Sequence, residues 1–159
     1  VEADKFWNDE RKAKAAAIPL SKEEVYTLAS IVEKESNNKK ERPTVAGVYL
    51  NRLKVGEKLR ADPTVVFAVG DFSIRRVLFE HVFFDSPYNT YLYQGLPPGP
   101  IYMPSTNAID AVLNAEKHDY LFFCAKPGYN SEHAFAVTAE QHQRNASIYH
   151  NWLEKEGIR

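Results

Sequence analysis

Cysteine, excess charge and long apolar runs are all scarce in this chain. Its 159 residues include one cysteine, Cys124. A lone thiol closes no internal disulfide, and its place in the apolar run 120–125 favours burial in a strand over reactivity. Twenty basic residues face 21 acidic ones, a formal net charge of −1. That balance gives no support for general nucleic-acid binding. No stretch approaches the roughly 18 apolar residues of a membrane helix, and no signal peptide is legible. The chain begins with Val1 rather than Met, as expected of a domain excised from a longer protein. The five histidines form no zinc-type pair with a cysteine, and no His-Glu-x-x-His run occurs. His142 and His150 lie eight residues apart on one expected helix and read as surface residues. A Walker loop, a dinucleotide fingerprint and a Gly-x-Ser-x-Gly elbow are likewise missing. Metal, nucleotide and serine-hydrolase chemistry are disfavoured, and no cofactor is implied.

What the chain does have is apolar content of 44% and an aromatic share of 13%. That suffices for one domain with a core of its own. Most of the aromatics belong in that core, and a carbohydrate site would need a few of them exposed.

The sharpest local signal is a helix carrying a misplaced acid. Ser21 followed by Glu24 fits a capping box. Val25, Leu28, Ile31 and Val32 then recur at helical spacing and share roughly a third of the circumference. Glu35 falls on that apolar stripe, four residues after Ile31 and three after Val32. Glu33 falls with Tyr26, Ser30 and Lys34 on the polar side, as a surface or helix-support residue. A carboxylate on an apolar stripe is costly unless it is paired, hydrogen-bonded or protonated. Three readings of Glu35 follow: a general acid kept protonated near neutral pH, a solvated acid at a frayed helix end, or a structural ion pair with Arg42, Arg52 or Arg60.

The rest of the chain reads as a mainly helical α+β domain with a small β-hairpin or sheet. Residues 1–20 form a lead-in segment with a charged, alanine-rich helix, and residues 21–159 form the main domain. The first central helix spans about residues 22–36. Pro43 suits the first position of a helix, and the following stripe runs to Gly56. Asp62-Pro63-Thr64 opens a short element, and residues 71–84 give only weak signals. Residues 86–104 are too rich in proline and glycine for a regular helix or central strand, and their aromatics favour a packed, functional loop. Ser105 caps a further helix. Residues 120–125 and 133–138 read as strands joined by the turn Pro127-Gly128-Tyr129-Asn130, and a last helix spans about 139–156, stopped by Gly157. His133 on the second strand is either a satisfied, half-buried histidine or a site residue.

Six segments, in order, resemble the MltG (YceG-like) family of endolytic murein transglycosylases. They are Leu28-Ala29-Ser30-Ile31-Val32-Glu33-Lys34-Glu35, Val48-Tyr49-Leu50-Asn51-Arg52-Leu53, Leu59-Arg60-Ala61-Asp62-Pro63-Thr64-Val65, Tyr88-Asn89-Thr90-Tyr91, Gly95-Leu96-Pro97-Pro98-Gly99-Pro100-Ile101 and His133-Ala134-Phe135. The resemblance covers about residues 25–153 and implies a lysozyme-like catalytic domain. It implies cleavage within peptidoglycan glycan strands of the β-1,4 bond between N-acetylmuramic acid and N-acetylglucosamine, leaving a 1,6-anhydro end. The family's acid/base maps onto Glu35, the residue the helical pattern singles out. An internal sugar hydroxyl as nucleophile removes the need for the second carboxylate that most glycosidases use.

Further residues in matching segments are candidates for substrate contact: Arg60, Asp62, Tyr88, Asn89, Thr90, Tyr91, Pro97, Pro98 and His133. For Asp62 the competing role is a cap on the turn before Pro63. For the Pro-rich loop the choice lies between groove wall and scaffold. Arg52 reads as a partner in a structural ion pair. The resemblance also implies a bacterial cell-envelope location outside the cytoplasm, inner-membrane anchoring through a segment absent from this chain, and peptidoglycan synthases as partners. Two features of the family are missing here, the N-terminal membrane helix and a LysM-like module, and Ser36 stands where the family often has Thr. Two other functions compete: a lysozyme-like hydrolase, which needs a way to activate water such as a second carboxylate, and a non-catalytic glycan-binding or scaffold domain.

Overall fold

The computed structural model describes residues 5–74 and 76–158. Its elements are α1 (Asp9–Ala16), α2 (Lys22–Glu35), α3 (Arg42–Val55), α4 (Asp62–Val69), a 3-10 turn (His81–Phe83), α5 (Thr106–Leu113), β1 (Phe122–Ala125), β2 (His133–Ala136) and α6 (Ala139–Glu156). The architecture is α+β and mainly helical, with one two-stranded antiparallel sheet. No helix among the described residues is long and apolar enough to cross a membrane.

The core is built around α2. Ser21 and Glu24 close a reciprocal capping box at its start, which satisfies backbone donors that would otherwise be orphaned. Val25, Leu28, Ile31 and Val32 are fully buried against α3, α4 and α5. Each such side chain contributes about 1.5–3 kcal/mol of burial free energy. Burial on α2 is wider than the apolar stripe. Ser30, expected on the polar side, has no exposed surface. Its hydroxyl donates to the Thr27 carbonyl and accepts the Ile101 backbone N–H at 3.1 Å. A polar residue there anchors the Pro-rich loop, which lies across that side of the helix.

Helix α3 begins at Arg42, one residue before the expected proline, and ends before Gly56, whose φ of 77° is a left-handed cap. Gly47 lets the segment before β1 approach closely. A Cβ there would sit 2.4 Å from the Glu116 carbonyl oxygen and 2.6 Å from His118 Nε2. Asn51 of α3 donates to the His118 and Tyr120 carbonyls. Arg52 donates to the Lys58 and Leu121 carbonyls and approaches Glu57 at 3.9 Å. It is thus the ion-pair partner expected, with its shorter bonds going to carbonyls.

These bonds position the hairpin, in which Phe122 pairs with Ala136 and Ala125 with His133. Residues 86–104 contain no helix or strand, as expected, and are held by hydrogen bonds to the Phe84 carbonyl and the Ser30 hydroxyl. The lead-in segment docks on the core. Trp7 is buried and donates to Tyr26 Oη at 2.6 Å, and Arg11 forks onto Asp110 of α5.

Candidate active site

Glu35 is the last residue of α2, where the helix emerges from the core. Its Oε1 accepts a hydrogen bond from Tyr49 Oη at 2.9 Å. Tyr49, on α3, is only 2% exposed. The carboxyl is pushed up to about 7, first by burial and further by the nearby charge of Asp62, with the Tyr49 hydrogen bond opposing. The carbonyl end of α2 adds a negative partial charge that also disfavours the carboxylate. Tyr49 is itself raised well above its ordinary range by burial and by Glu35, so it stays a donor. No ion pair joins Glu35 to Arg42, Arg52 or Arg60 among the described residues. The frayed-end alternative is not what the structure shows either: Glu35 is half-buried, the Ser36 N–H closes the helix onto the Val32 carbonyl, and Tyr49 holds the carboxyl.

Three hollows meet at Glu35. The largest, about 500 Å³, runs between α3 and the hairpin and includes Tyr49, Arg60, Asp62, Tyr91, Phe123 and His142. A second lies between α4 and the side chains of Phe72, Ile74 and Val77, with Asp62, Phe67 and Ile101 on its walls. The third lies under the hairpin turn and includes His133 and Tyr149. Together they form an open groove with the Glu35 carboxyl where all three meet, the arrangement a general acid acting on an extended polymer requires.

The sequence candidates separate into those the fold brings to this groove and those it does not. Arg60, Asp62, Tyr91 and His133 line it beside Glu35. Asp62 opens α4 but does not cap it, so the capping role is not realised. Its Oδ1 instead accepts from the Tyr91 hydroxyl. The Asp62 carboxyl is raised by burial, with that hydrogen bond opposing. Arg60 has φ of 50°, a left-handed backbone uncommon for a residue with a side chain.

Asn89 and Thr90 are turned inward, against the expectation of substrate contact. Asn89 Nδ2 donates to the Val82 and Phe84 carbonyls, and Thr90 Oγ1 accepts the Ala61 N–H and bonds Thr64 Oγ1. The Arg60 N–H in turn donates to the Thr90 carbonyl at 3.2 Å. Thr90 thus holds the turn that carries Arg60 and Asp62 and acts on the groove through the backbone, while Asn89 ties its loop to the carbonyls of Val82 and Phe84. Tyr88 packs on Phe67 and the core. Pro97 is buried and Pro98 exposed, and neither lines the three hollows at Glu35. Of the Pro-rich loop only Ile101 reaches a groove wall, so the loop is mainly scaffold. Glu33 accepts the Ser105 N–H at 2.7 Å, tying α2 to the start of α5, a helix-support role.

Sequence reasoning missed three contributors. Tyr49 lies within a matching segment, but its meeting with Glu35 depends on the α2–α3 crossing. His142, read as a surface residue, stacks on Phe122 at 5.1 Å and lines the largest hollow. Its Nδ1 is buried without a hydrogen-bond partner, and burial lowers its proton affinity. Glu41 binds the Nδ1 and the backbone N–H of His133, a pairing across 92 positions that no local pattern signals. Cys124 lies half-buried in β1, as expected, and burial raises its thiol.

Comparison with known proteins places this geometry in context. The model of the YceG-like family matches residues 2–148. An endolytic murein transglycosylase of Bacillus subtilis (strain 168) is 40% identical over 130 residues, covering 82% of this chain and 35% of that protein. One of Streptococcus pneumoniae serotype 2 is 36% identical over 136 residues, covering 83% of this chain and 24% of that protein. A crystal structure of a YceG-like protein from Listeria monocytogenes superposes with a TM-score of 0.78 at 35% identity, covering 85% of this chain and 43% of that one. The chain therefore spans about a quarter to a third of the length of these curated relatives.

Proposed function

The chain belongs to the YceG-like family, and from that premise we propose that it is a peptidoglycan lytic transglycosylase with Glu35 as its single general acid/base. The observation that carries this reading is a carboxyl pushed up to about 7 at the meeting point of three hollows. At neutral pH a large share of Glu35 holds its proton, which it gives to the glycosidic oxygen as the bond to the anomeric carbon of N-acetylmuramic acid breaks. The muramyl 6-hydroxyl oxygen then bonds that carbon, assisted by the substrate's N-acetyl group, and its proton passes to the Glu35 carboxylate. Water is not consumed, the product carries a 1,6-anhydro end, and the acid is regenerated. Tyr49 holds the carboxyl in place throughout and prevents the pKa from rising beyond use.

Arg60, Tyr91 and Asp62 supply hydrogen bonds to the strand in the larger hollow, and His133 does so in the hollow under the hairpin. Residues 21–159 act as the catalytic domain, with residues 1–20 as a docked lead-in. The relatives' names support a place in the bacterial cell envelope. Membrane anchoring through a further segment, a position outside the cytoplasm and contact with peptidoglycan synthases complete the proposal for the whole protein.

One observation favours a second reading, a lysozyme-like hydrolase: Asp62 shares two hollows with Glu35. A second carboxylate of that kind can activate water. Release of soluble muropeptides from sacculi, measured for wild type, Glu35→Gln and Asp62→Asn, separates the two. The lyase reading expects loss of at least about a thousandfold for Glu35→Gln, and no more than about tenfold for Asp62→Asn. Equal loss in both variants would favour the hydrolase. Unchanged release by Glu35→Gln would end the catalytic reading.

A further inference from the structure

The hollow under the hairpin turn carries features that the acid/base reading does not use. Glu35, His133 and Tyr149 of α6 line it together with Tyr129 of the hairpin turn. Tyr129 is 75% exposed yet not loose, since its ring packs edge-on against Trp152 at 5.2 Å. Trp152 also stacks with Tyr149 at 6.0 Å and 29°. An exposed ring held against a tryptophan that is itself stacked keeps its apolar surface bare at little entropy cost.

The polar side of the hollow is equally fixed. The Glu41 carboxylate accepts His133 Nδ1–H at 2.8 Å and the His133 backbone N–H at 3.0 Å. The ring also packs edge-on against Phe123. That leaves His133 Nε2 without a protein partner among the described residues, set at a fixed orientation in the hollow. Lys126 and Glu132 also line it, one of each sign, so no net charge favours a highly anionic ligand. Its volume of about 390 Å³ is enough for a small organic group.

An apolar ring wall facing a fixed polar partner suits a pyranose, which has an apolar face of C–H groups and an edge of hydroxyl and acetamido groups. We propose that this hollow is a saccharide subsite next to the cleavage point. Tyr149 and Tyr129 stack on a sugar ring, and His133, oriented by Glu41, hydrogen-bonds its polar edge. Glu41 is a positioning residue, because it reaches the sugar only through His133. The proposal rests on the glycan reading of Glu35 and adds the place of one sugar ring.

The test uses the Glu35→Gln chain and peptide-free glycan strands, prepared from sacculi with an amidase. Binding is followed by the fluorescence of Trp152, which touches both tyrosines. Tyr149→Ala and Tyr129→Ala should each weaken binding about tenfold relative to the Glu35→Gln parent, and Tyr149→Phe should restore it. Glu41→Gln in the wild-type background should raise KM for strands while leaving thermal stability and the pH limb set by Glu35 in place. Equal binding by the parent and both tyrosine variants overturns the subsite while leaving the glycan reading intact. A loss seen only with peptide-bearing strands also overturns it, assigning the hollow to the stem peptide. Failure of the parent to bind strands at all overturns both readings together.

Discussion

Replacing Glu35 with Gln should make the protein more stable, and only above a particular pH. In the unfolded chain Glu35 titrates near its ordinary value of 4.5, and in the folded chain near 7. The folded state therefore binds the proton more tightly. Between these two values a rising pH strips the proton more readily from the unfolded chain and so lowers wild-type stability. Below pH 4.5 the residue is neutral in both states and contributes nothing; above about pH 7 the full cost is present. A difference of roughly 2.5 pH units, at about 1.36 kcal/mol each, sets an upper figure of about 3 kcal/mol. Gln has no charge to desolvate and still offers an oxygen to the Tyr49 hydroxyl. Urea denaturation of the two proteins at pH steps from 4 to 9 tests this. The curves should coincide near pH 4, diverge between about pH 5 and 7, and run parallel above about pH 8 with the Gln variant more stable by up to about 3 kcal/mol. Curves that stay parallel from pH 4 to 9 would refute a desolvated, proton-binding Glu35.

Four further outcomes follow from the same geometry. The rate of strand cleavage should fall about tenfold per pH unit above roughly pH 7 as Glu35 loses its proton, read from kcat against pH. Tyr49→Phe, by removing the bond that favours the carboxylate, should move that limb up by about one to two pH units. Asn89→Ala should lower stability by about 2–4 kcal/mol through the lost bonds to Val82 and Phe84, with KM nearly unchanged at a permissive temperature; a large rise in KM without loss of stability would make it a substrate contact. Gly47→Ala should lower the Tm through the clash at Glu116 and His118, costing about 1–3 kcal/mol.

Local signals are legible in the sequence because their physics is local. The capping box at Ser21, the proline opening α3, the glycine ending it and the stop at Gly157 each act within one turn of chain. The face occupied by Glu35 followed from helical periodicity alone. What was hidden depends on contacts between distant segments. The Tyr88-Asn89-Thr90-Tyr91 segment illustrates this: one motif sends Tyr91 to the groove and Asn89 and Thr90 into buried hydrogen bonds. Side-chain chemistry suits both fates equally, and only the path of the loop decides. Ser30 was misplaced for the same reason, since the Pro-rich loop that covers it comes from residue 101. The His133–Glu41 pair and the stacking of His142 on Phe122 depend on how the hairpin lies against α3 and α6.

The account's central claim is that one carboxyl, Glu35, drives cleavage with a sugar hydroxyl as the nucleophile. Mass spectrometry of the fragments that wild type and Glu35→Gln release from sacculi tests it most directly. The account predicts fragments ending in 1,6-anhydro-N-acetylmuramic acid from wild type, about 18 Da lighter than hydrolysis products by the water not consumed, and none from the variant. Reducing ends from wild type, or the same fragments from both proteins, would contradict it.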